Sequence, residues 1–279
     1  VCGAGSDELI SLLMRAYAGP GDEIIHSAHG FLMYAISARS VGARPVSAPE
    51  ADLKADVDAI VVSLTPATRM VFLANPNNPT GSYLPASALA ELRRRLPENV
   101  LLVIDAAYAE YVEEDDYANG AELVSANDNV VMLRTFSKIH GLAALRLGWA
   151  YCPPGIVDVL HRLRGPFNVG APALAAGIAA VEDREHQERS RLHNRRLLSR
   201  FKSEVEALGL LAPPSYGNFI LLRFPAGADQ AEQALEALKS RGVLVRGMRG
   251  YGLQDSLRVT IGLEEEMKVT REALSEFLS

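Results

Sequence analysis

The sequence contains few of the residues that build a disulfide framework or a metal site. Its 279 residues include only two cysteines and six histidines. Cys2 and Cys152 are too few for a disulfide scaffold or a thiolate metal site, and the histidines lack the spacing of zinc ligands. We therefore expect a functional site without a metal ion.

Long apolar runs and an excess of basic charge are also missing. The apolar runs are too short to cross a membrane, and no signal peptide opens the chain. The net charge of -6 comes without a basic stripe, which argues against nucleic acid as a partner. With 48% hydrophobic residues, the chain can bury a large core. Composition thus predicts a cytoplasmic globular enzyme or binding protein without a membrane or nucleic-acid partner.

Apolar runs alternate with helical patterns along the first part of the chain, which is typical of a mostly parallel α/β sheet between helices. Strands are predicted at 23–26, 44–47, 70–74, 100–104, 130–133 and 147–151, and 51–64 has helical spacing. Almost all of 171–208 reads as helix, followed by strands at 219–222, 243–245 and 257–261. We therefore predict a large domain over residues 1–188 and a smaller α+β domain over 189–279, joined by a long helix.

The first residues resemble the end of a strand that runs directly into a helix. Ser6 is a suitable N-cap, and Asp7 suits the positive end of the helix dipole. Backbone N–H groups at such a helix start can bind an anion. Because this motif stands at the very beginning, we expect the chain to start inside a domain and to be an incomplete protomer.

The most informative stretch runs from Leu133 to Lys138. An apolar run ends there in two hydroxyl residues, Thr135 and Ser137, followed by the lysine. A lysine among apolar residues is costly to keep charged, so its pKa is expected to fall towards the neutral amine that attacks carbonyl groups. Thr135, Ser137 and Arg146 can supply two hydroxyls and a guanidinium to a phosphate.

Other polar residues follow predicted strands. Asn78 lies in a loop fixed by two prolines, at the edge of the sheet where α/β proteins bind ligands, while Asp105 closes the run from residue 100 and precedes Tyr108. Each has an ordinary structural explanation when taken alone. Together they match pyridoxal phosphate, which has an aldehyde, a phosphate, a basic ring nitrogen, a phenolic oxygen and a flat face for Phe31.

Several motifs extend this match along nearly the whole chain. They are Gly5-Ser6-Asp7-Glu8-Leu9, Asn75-Pro76-Asn77-Asn78-Pro79-Thr80-Gly81, Asp105-Ala106-Ala107-Tyr108, Thr135-Phe136-Ser137-Lys138, Arg146-Leu147-Gly148, Gly217-Asn218-Phe219-Ile220, Gly250-Tyr251-Gly252-Leu253 and Leu257-Arg258-Val259-Thr260-Ile261-Gly262. In these motifs the sequence resembles the fold-type I aminotransferases, which depend on pyridoxal phosphate, and within them the histidinol-phosphate aminotransferases.

The resemblance implies a role for each motif residue. Lys138 would bond the cofactor and move the substrate proton, Asp105 would pair with the ring nitrogen, and Tyr108 would join Asn78 at the phenolic oxygen. The implied catalytic residues are therefore Lys138, Asp105 and Tyr108. The implied cofactor-binding residues are Ser6, Asp7, Phe31, Asn78, Asp105, Tyr108, Thr135, Ser137, Lys138 and Arg146.

The resemblance also implies a reaction and its partners. A homodimer would move an amino group between histidinol phosphate and 2-oxoglutarate in histidine biosynthesis, with Asn78, Arg246 and Arg258 binding the small-molecule amino donor or 2-oxo acid. If the strands carrying Arg246 and Arg258 are neighbours, both guanidiniums could face one cleft. Three alternatives stay open: an aromatic amino-acid aminotransferase, a threonine-phosphate decarboxylase, and an aminotransferase-like module that binds a ligand without turnover.

Overall fold

A computed structural model describes residues 1–279. The strands in chain order are β1 (Cys2–Gly3), β2 (Glu23–Ser27), β3 (Arg44–Ala48), β4 (Glu50–Ala51), β5 (Lys54–Ala55), β6 (Thr68–Ala74), β7 (Leu101–Asp105), β8 (Val130–Thr135), β9 (Gly148–Tyr151), β10 (Phe219–Arg223), β11 (Arg246–Gly247) and β12 (Ser256–Thr260). The helices are α1 (Ser6–Tyr17), α2 (Met33–Ser40), α3 (Val57–Val62), α4 (Ala86–Arg95), α5 (Ala121–Ala126), α6 (Pro154–Leu163), α7 (Ala171–Glu182), α8 (Arg184–Ala207), α9 (Ala228–Ser240) and α10 (Glu264–Leu278).

The larger sheet has seven strands in the order β1-β9-β8-β7-β6-β2-β3. The five strands from β8 to β3 pair in parallel, while β9 and β1 are antiparallel to their neighbours. This arrangement confirms the predicted α/β class with a mostly parallel sheet. The carboxyl ends of β6, β7 and β8 therefore meet at one edge of the sheet, where ligands of such folds bind.

Both faces of the large sheet are covered, which explains the unbroken apolar runs in its central strands β6, β7 and β8. Successive strand residues point to opposite faces, so Val103 packs with α1, α2 and α6, whereas its neighbour Leu102 packs with α3, α4 and α5. Both side chains are fully buried. The two cores, one on each face, fix the sheet between the helices. They therefore also fix the carboxyl ends of its strands and the loops that follow them.

The smaller sheet has the antiparallel order β10-β12-β11, and α8, α9 and α10 cover it around a core that includes Phe201, Ile220 and Leu274. Arg246 lies directly opposite Arg258 in this sheet, as the sequence requires if both are to face one cleft. The proposed division between residues 188 and 189 falls inside the 24-residue α8 and stays a prediction. No helix of the protein combines the length and apolar character needed to span a membrane.

Two of the sequence predictions for the elements are wrong. The predicted helix at 51–64 is a β4–β5 hairpin followed by the short α3, because Asp52 and Leu53 adopt positive φ angles of 50° and 61° in the turn. The prediction that almost all of 171–208 is helical is confirmed: the stretch forms α7 and α8, and the side chain of Asp183 caps the second. The strand predicted at 243–245 lies at β11 instead, where pairing with β12 fixes its position.

Candidate active site

A single cavity lies at the carboxyl ends of β6, β7 and β8. It brings together all ten residues that the resemblance implied for the cofactor, although they are spread over 140 positions of the chain. Those residues in the cavity wall are Ser6, Asp7, Phe31, Asn78, Asp105, Tyr108, Thr135, Ser137, Lys138 and Arg146. Tyr34 also lines the cavity, whereas Arg246 and Arg258 do not.

One end of the cavity is built around the start of α1. The predicted N-cap Ser6 is wrong by one position: Gly5 precedes the helix with φ 81°, and no side chain caps it. A Cβ at Gly5 would stand 2.4 Å from the Arg146 guanidinium, so only glycine permits this close approach. The free N–H groups of the helix start and the positive guanidinium make this end suited to an anion.

Hydroxyl groups complete the anion-binding end. Arg146 donates to Ser137 Oγ at 3.3 Å and to Asp7 Oδ2 at 3.1 Å, and Thr135 Oγ1 donates to Ser137 Oγ at 3.0 Å. These contacts fix the guanidinium and the hydroxyls relative to each other before any ligand binds. The Asp7 carboxylate balances part of the positive charge and holds Arg146 in place.

Asp105, the last residue of β7, also lines the cavity. Its Oδ2 accepts a hydrogen bond of 2.8 Å from the Tyr34 hydroxyl, while its Oδ1 is buried without a partner. Burial raises the pKa of Asp105 to about 6, although the Tyr34 hydrogen bond acts in the opposite direction. A buried carboxylate oxygen that lacks a donor is suited to a protonated nitrogen of a bound ligand.

Tyr34 is a site residue that the sequence reasoning missed. Burial raises the pKa of its hydroxyl, which therefore stays protonated and donates to Asp105. Its ring stacks on Phe72, with centroids 4.9 Å apart, and meets the edge of Phe31 at 5.8 Å. The one signal in the sequence was its spacing of three residues from Phe31 near a helix start, which puts two aromatic rings on the same side.

Lys138 lines the same cavity, in the turn after β8. Its Nζ is 5.2 Å from the centroid of the Tyr108 ring. Burial and then the positive charge of Arg258 lower the pKa of Lys138, while Asp105 and Asp7 oppose the change. The direction agrees with the expectation from its apolar neighbours, and it favours the neutral amine that reacts with carbonyl groups.

Arg258, on the smaller sheet, contacts a residue of the cavity wall. Its Nη1 donates to Asn78 Oδ1 at 2.5 Å, and its guanidinium carbon lies 5.0 Å from the centroid of Phe219. Arg246 stands beside it on β11, 5.9 Å from the ring of Tyr251. Because Arg246 and Arg258 are paired residues of neighbouring strands, their guanidiniums lie on the same face of the smaller sheet, where they can bind the acidic end of a second molecule.

Comparison with known proteins agrees with this geometry. The family described as aminotransferase class I and II matches residues 1–274. Histidinol-phosphate aminotransferases of Rhodospirillum centenum and Paramagnetospirillum magneticum are 57% and 58% identical to this chain, covering 100% of it and 77% of each relative. The crystal structure of histidinol-phosphate aminotransferase from Sinorhizobium meliloti in complex with pyridoxal 5'-phosphate has a TM-score of 0.94 at 29% identity, covering 100% of this chain and 76% of that one. The chain therefore belongs to the class I and II aminotransferase family.

Proposed function

We propose that this protein is a pyridoxal-phosphate-dependent aminotransferase that moves an amino group between histidinol phosphate and 2-oxoglutarate in histidine biosynthesis. The observation that carries the proposal is one cavity whose wall contains a lysine of lowered pKa, an anion site and a buried, half-satisfied carboxylate. The family membership and the 57–58% identity to histidinol-phosphate aminotransferases support it.

The residues of the cavity fit this cofactor. Asp105 Oδ1 is buried and has no partner, which is costly unless a donor such as a protonated ring nitrogen approaches it. The start of α1 with Arg146, Thr135 and Ser137 offers N–H, guanidinium and hydroxyl groups to a phosphate. Phe31 in the wall can cover a flat ring.

When bound, pyridoxal phosphate supplies a carbonyl that exchanges amino groups and a ring that takes up electrons from the α-carbon of the substrate. Lys138 then serves as the acid and base that moves the proton at that carbon, because its lowered pKa keeps a share of it neutral. Burial raises the pKa of Tyr108 to about 12, so its hydroxyl stays protonated and can donate. The amide nitrogen of Asn78 can also donate, while its Oδ1 accepts a hydrogen bond from Arg258.

Substitutions of Arg246 and Arg258 test the proposed substrate. Arg258→Lys should lower kcat/KM by ~100-fold for both half-reactions, because a lysine cannot make the bidentate contact with a carboxylate or phosphate. Arg246→Ala should lower kcat/KM chiefly for histidinol phosphate. The measurement is kcat/KM for histidinol phosphate, glutamate and phenylalanine in both variants and the wild type.

Arg249→Ala is the matched control for that series. This arginine lies between the strands that carry Arg246 and Arg258, and it is exposed, with a weak contact of 3.9 Å to Glu232. Its removal should therefore leave kcat/KM for each of the three substrates within about twofold of the wild type. A wild type that prefers phenylalanine would favour the aromatic amino-acid aminotransferase. Loss of carbon dioxide from threonine phosphate would favour the decarboxylase, and binding without turnover would favour a non-catalytic module.

We further propose that the protein acts as a homodimer. Leu174, Ile178 and Val181 on α7 are exposed, Ile178 by 65%, and they form a groove with Phe136 and Trp149. An apolar helix face of this kind is typical of a subunit interface. Its position close to the turn after β8 would put the partner near the candidate active site.

Ile178→Glu tests the interface. A charge buried between two copies should raise the dimer dissociation constant by at least ~100-fold, about 2.7 kcal/mol. Sedimentation velocity over a concentration series measures the change. Val62→Glu, at an apolar position on α3 that is 83% exposed, is the control and should leave the sedimentation coefficient unchanged. A wild-type monomer at micromolar concentration would contradict the dimer.

The cytoplasm is the compartment we propose for this activity. Cys2 and Cys152 are both free thiols, and Cys152 is buried. Free thiols are typical of proteins from a reducing compartment.

A further inference from the structure

A second cluster of charged side chains lies near Lys138 in the sequence but outside the cavity wall. It consists of Glu110, Arg134 and His140, all largely shielded from solvent. Arg134 donates to Glu110 Oε1 at 2.5 Å, and His140 Nε2 lies 3.7 Å from the same oxygen. None of the proposed chemical steps uses these residues.

The cluster connects the two loops that carry the candidate catalytic residues. Glu110 lies in a short 3-10 helix at Ala109–Tyr111, two residues after Tyr108. Arg134 is the penultimate residue of β8, and His140 follows Lys138 by two residues. One carboxylate oxygen therefore contacts side chains on both sides of Lys138.

Stability alone gives a poor account of the cluster. Glu110 Oε2, Arg134 Nε and His140 Nδ1 are all buried without a hydrogen-bond partner. A buried ion pair with unsatisfied atoms is often no better for stability than apolar side chains of the same size. The cluster does fix the distance between the segment after β7 and the turn after β8, at a position largely shielded from solvent.

Aromatic side chains keep this place dry. His140 packs on Phe136, with ring centroids 4.8 Å apart, and the Arg134 guanidinium lies 5.7 Å from the ring of Trp149. Burial acts to raise the pKa of Glu110, but the combined effect of His140 and Arg134 in the opposite direction is larger. The net shift of the pKa is downward, so Glu110 stays ionised. The charge that holds Arg134 is therefore present across the neutral pH range.

We propose that Glu110 is a positioning residue for amino transfer: it fixes the turn that carries Lys138 against the loop that carries Asp105 and Tyr108. This inference rests on the proposed function of the cavity. Proton transfer depends on placing the amine to within about 0.5 Å of its productive position. A carboxylate that holds both loops supplies that precision without touching the cofactor or the substrate.

Two substitutions test the proposal. Glu110→Gln removes the charge but keeps the shape, and Glu110→Asp keeps the charge but shortens the reach. Both should lower kcat by ~10- to 100-fold while KM for histidinol phosphate stays within about threefold, because substrate contacts remain. A double variant, Glu110→Gln with Arg134→Gln, leaves no unpaired buried charge and should show the same loss.

A measurement on the cofactor-free protein separates positioning from a general structural role. The pH midpoint for labelling of Lys138 by an amine reagent, followed by peptide mass spectrometry, should rise by ~0.5 pH unit or more in Glu110→Asp, because a looser turn exposes the amine to water. Glu113→Gln is the control: Glu113 lies on the same segment but pairs with Arg191 and Arg195 on α8. It should change neither the midpoint nor kcat.

The outcomes are distinct. If Glu110→Asp and the double variant lower only the unfolding temperature, with kcat and the Lys138 midpoint as in the wild type, the cluster is structural and the inference is wrong. An equal rise in KM and fall in kcat/KM at constant kcat would also overturn it. If the wild type binds no cofactor and transfers no amino group, the proposed function fails, while the labelling midpoint still reports on the positioning by Glu110.

Discussion

Lys138→Ala is expected to lower kcat for amino transfer by at least ~10³-fold, about 4 kcal/mol. The reason is that Lys138 supplies the only amine in the cavity wall, which contains no other lysine and no histidine. Arg146, the other cation in the wall, is a guanidinium that does not give up its proton at neutral pH. The loss should therefore appear in kcat, with little change in substrate binding.

The measurement for Lys138 has two parts. Steady-state kinetics gives kcat, and borohydride treatment of the cofactor-loaded protein followed by peptide mapping should locate the fixed cofactor at residue 138 in the wild type only. Lys239→Ala, which removes an exposed lysine of α9 paired with Glu236, is the control and should keep both properties. Amino transfer at the wild-type rate in Lys138→Ala would contradict the assignment.

Local patterns predicted the strands that carry the site, because each contains an unbroken apolar run of at least four residues. The run up to Asp105 illustrates this: residues buried on both faces leave no ambiguity about the strand, and the first charged residue marks its end. The polar residues after β6, β7 and β8 were then brought to one edge by parallel pairing alone. The grouping of Asn78, Asp105 and Lys138 in one cavity therefore follows from two simple features: the apolar pattern that predicts each strand and the parallel pairing of neighbouring strands.

Contacts between distant parts of the chain could not be predicted in this way. The hydrogen bond from Tyr34 to Asp105 joins residues 71 positions apart and depends on how α2 packs on the sheet. The Glu110 cluster is similar, since its sequence shows only an acid after a strand. β11 was misplaced because Val243 and Val245 favour a strand by composition, whereas pairing with β12 selects Arg246 and Gly247.

Asp105→Asn is the second substitution with a large expected effect. The amide keeps the shape of the side chain but has no charge to hold a ring nitrogen protonated, so kcat should fall by at least ~100-fold, about 2.7 kcal/mol. Tyr34 can still donate to the amide oxygen, so the cavity should stay intact. Steady-state kinetics with glutamate and histidinol phosphate measures the effect. A kcat within a few-fold of the wild type, with weaker cofactor binding alone, would contradict this role.

Although Asp105→Asn should lower kcat, it should stabilise the cofactor-free protein relative to the wild type at neutral pH. Burial raises the pKa of Asp105 from 3.8 to about 6, so between these pH values the folded protein binds more protons than the unfolded chain. The stabilising contribution of the protonated form is complete below pH 3.8 and is lost as the pH rises through about 6, amounting to at most roughly 3 kcal/mol. Asp105→Asn lacks this loss, so the free energy of unfolding of the variant should gain on the wild type as the pH increases from 4 to 7. Urea unfolding of both proteins across this range measures the difference, and a difference that does not change with pH would show that the Asp105 carboxylate does not titrate in this window.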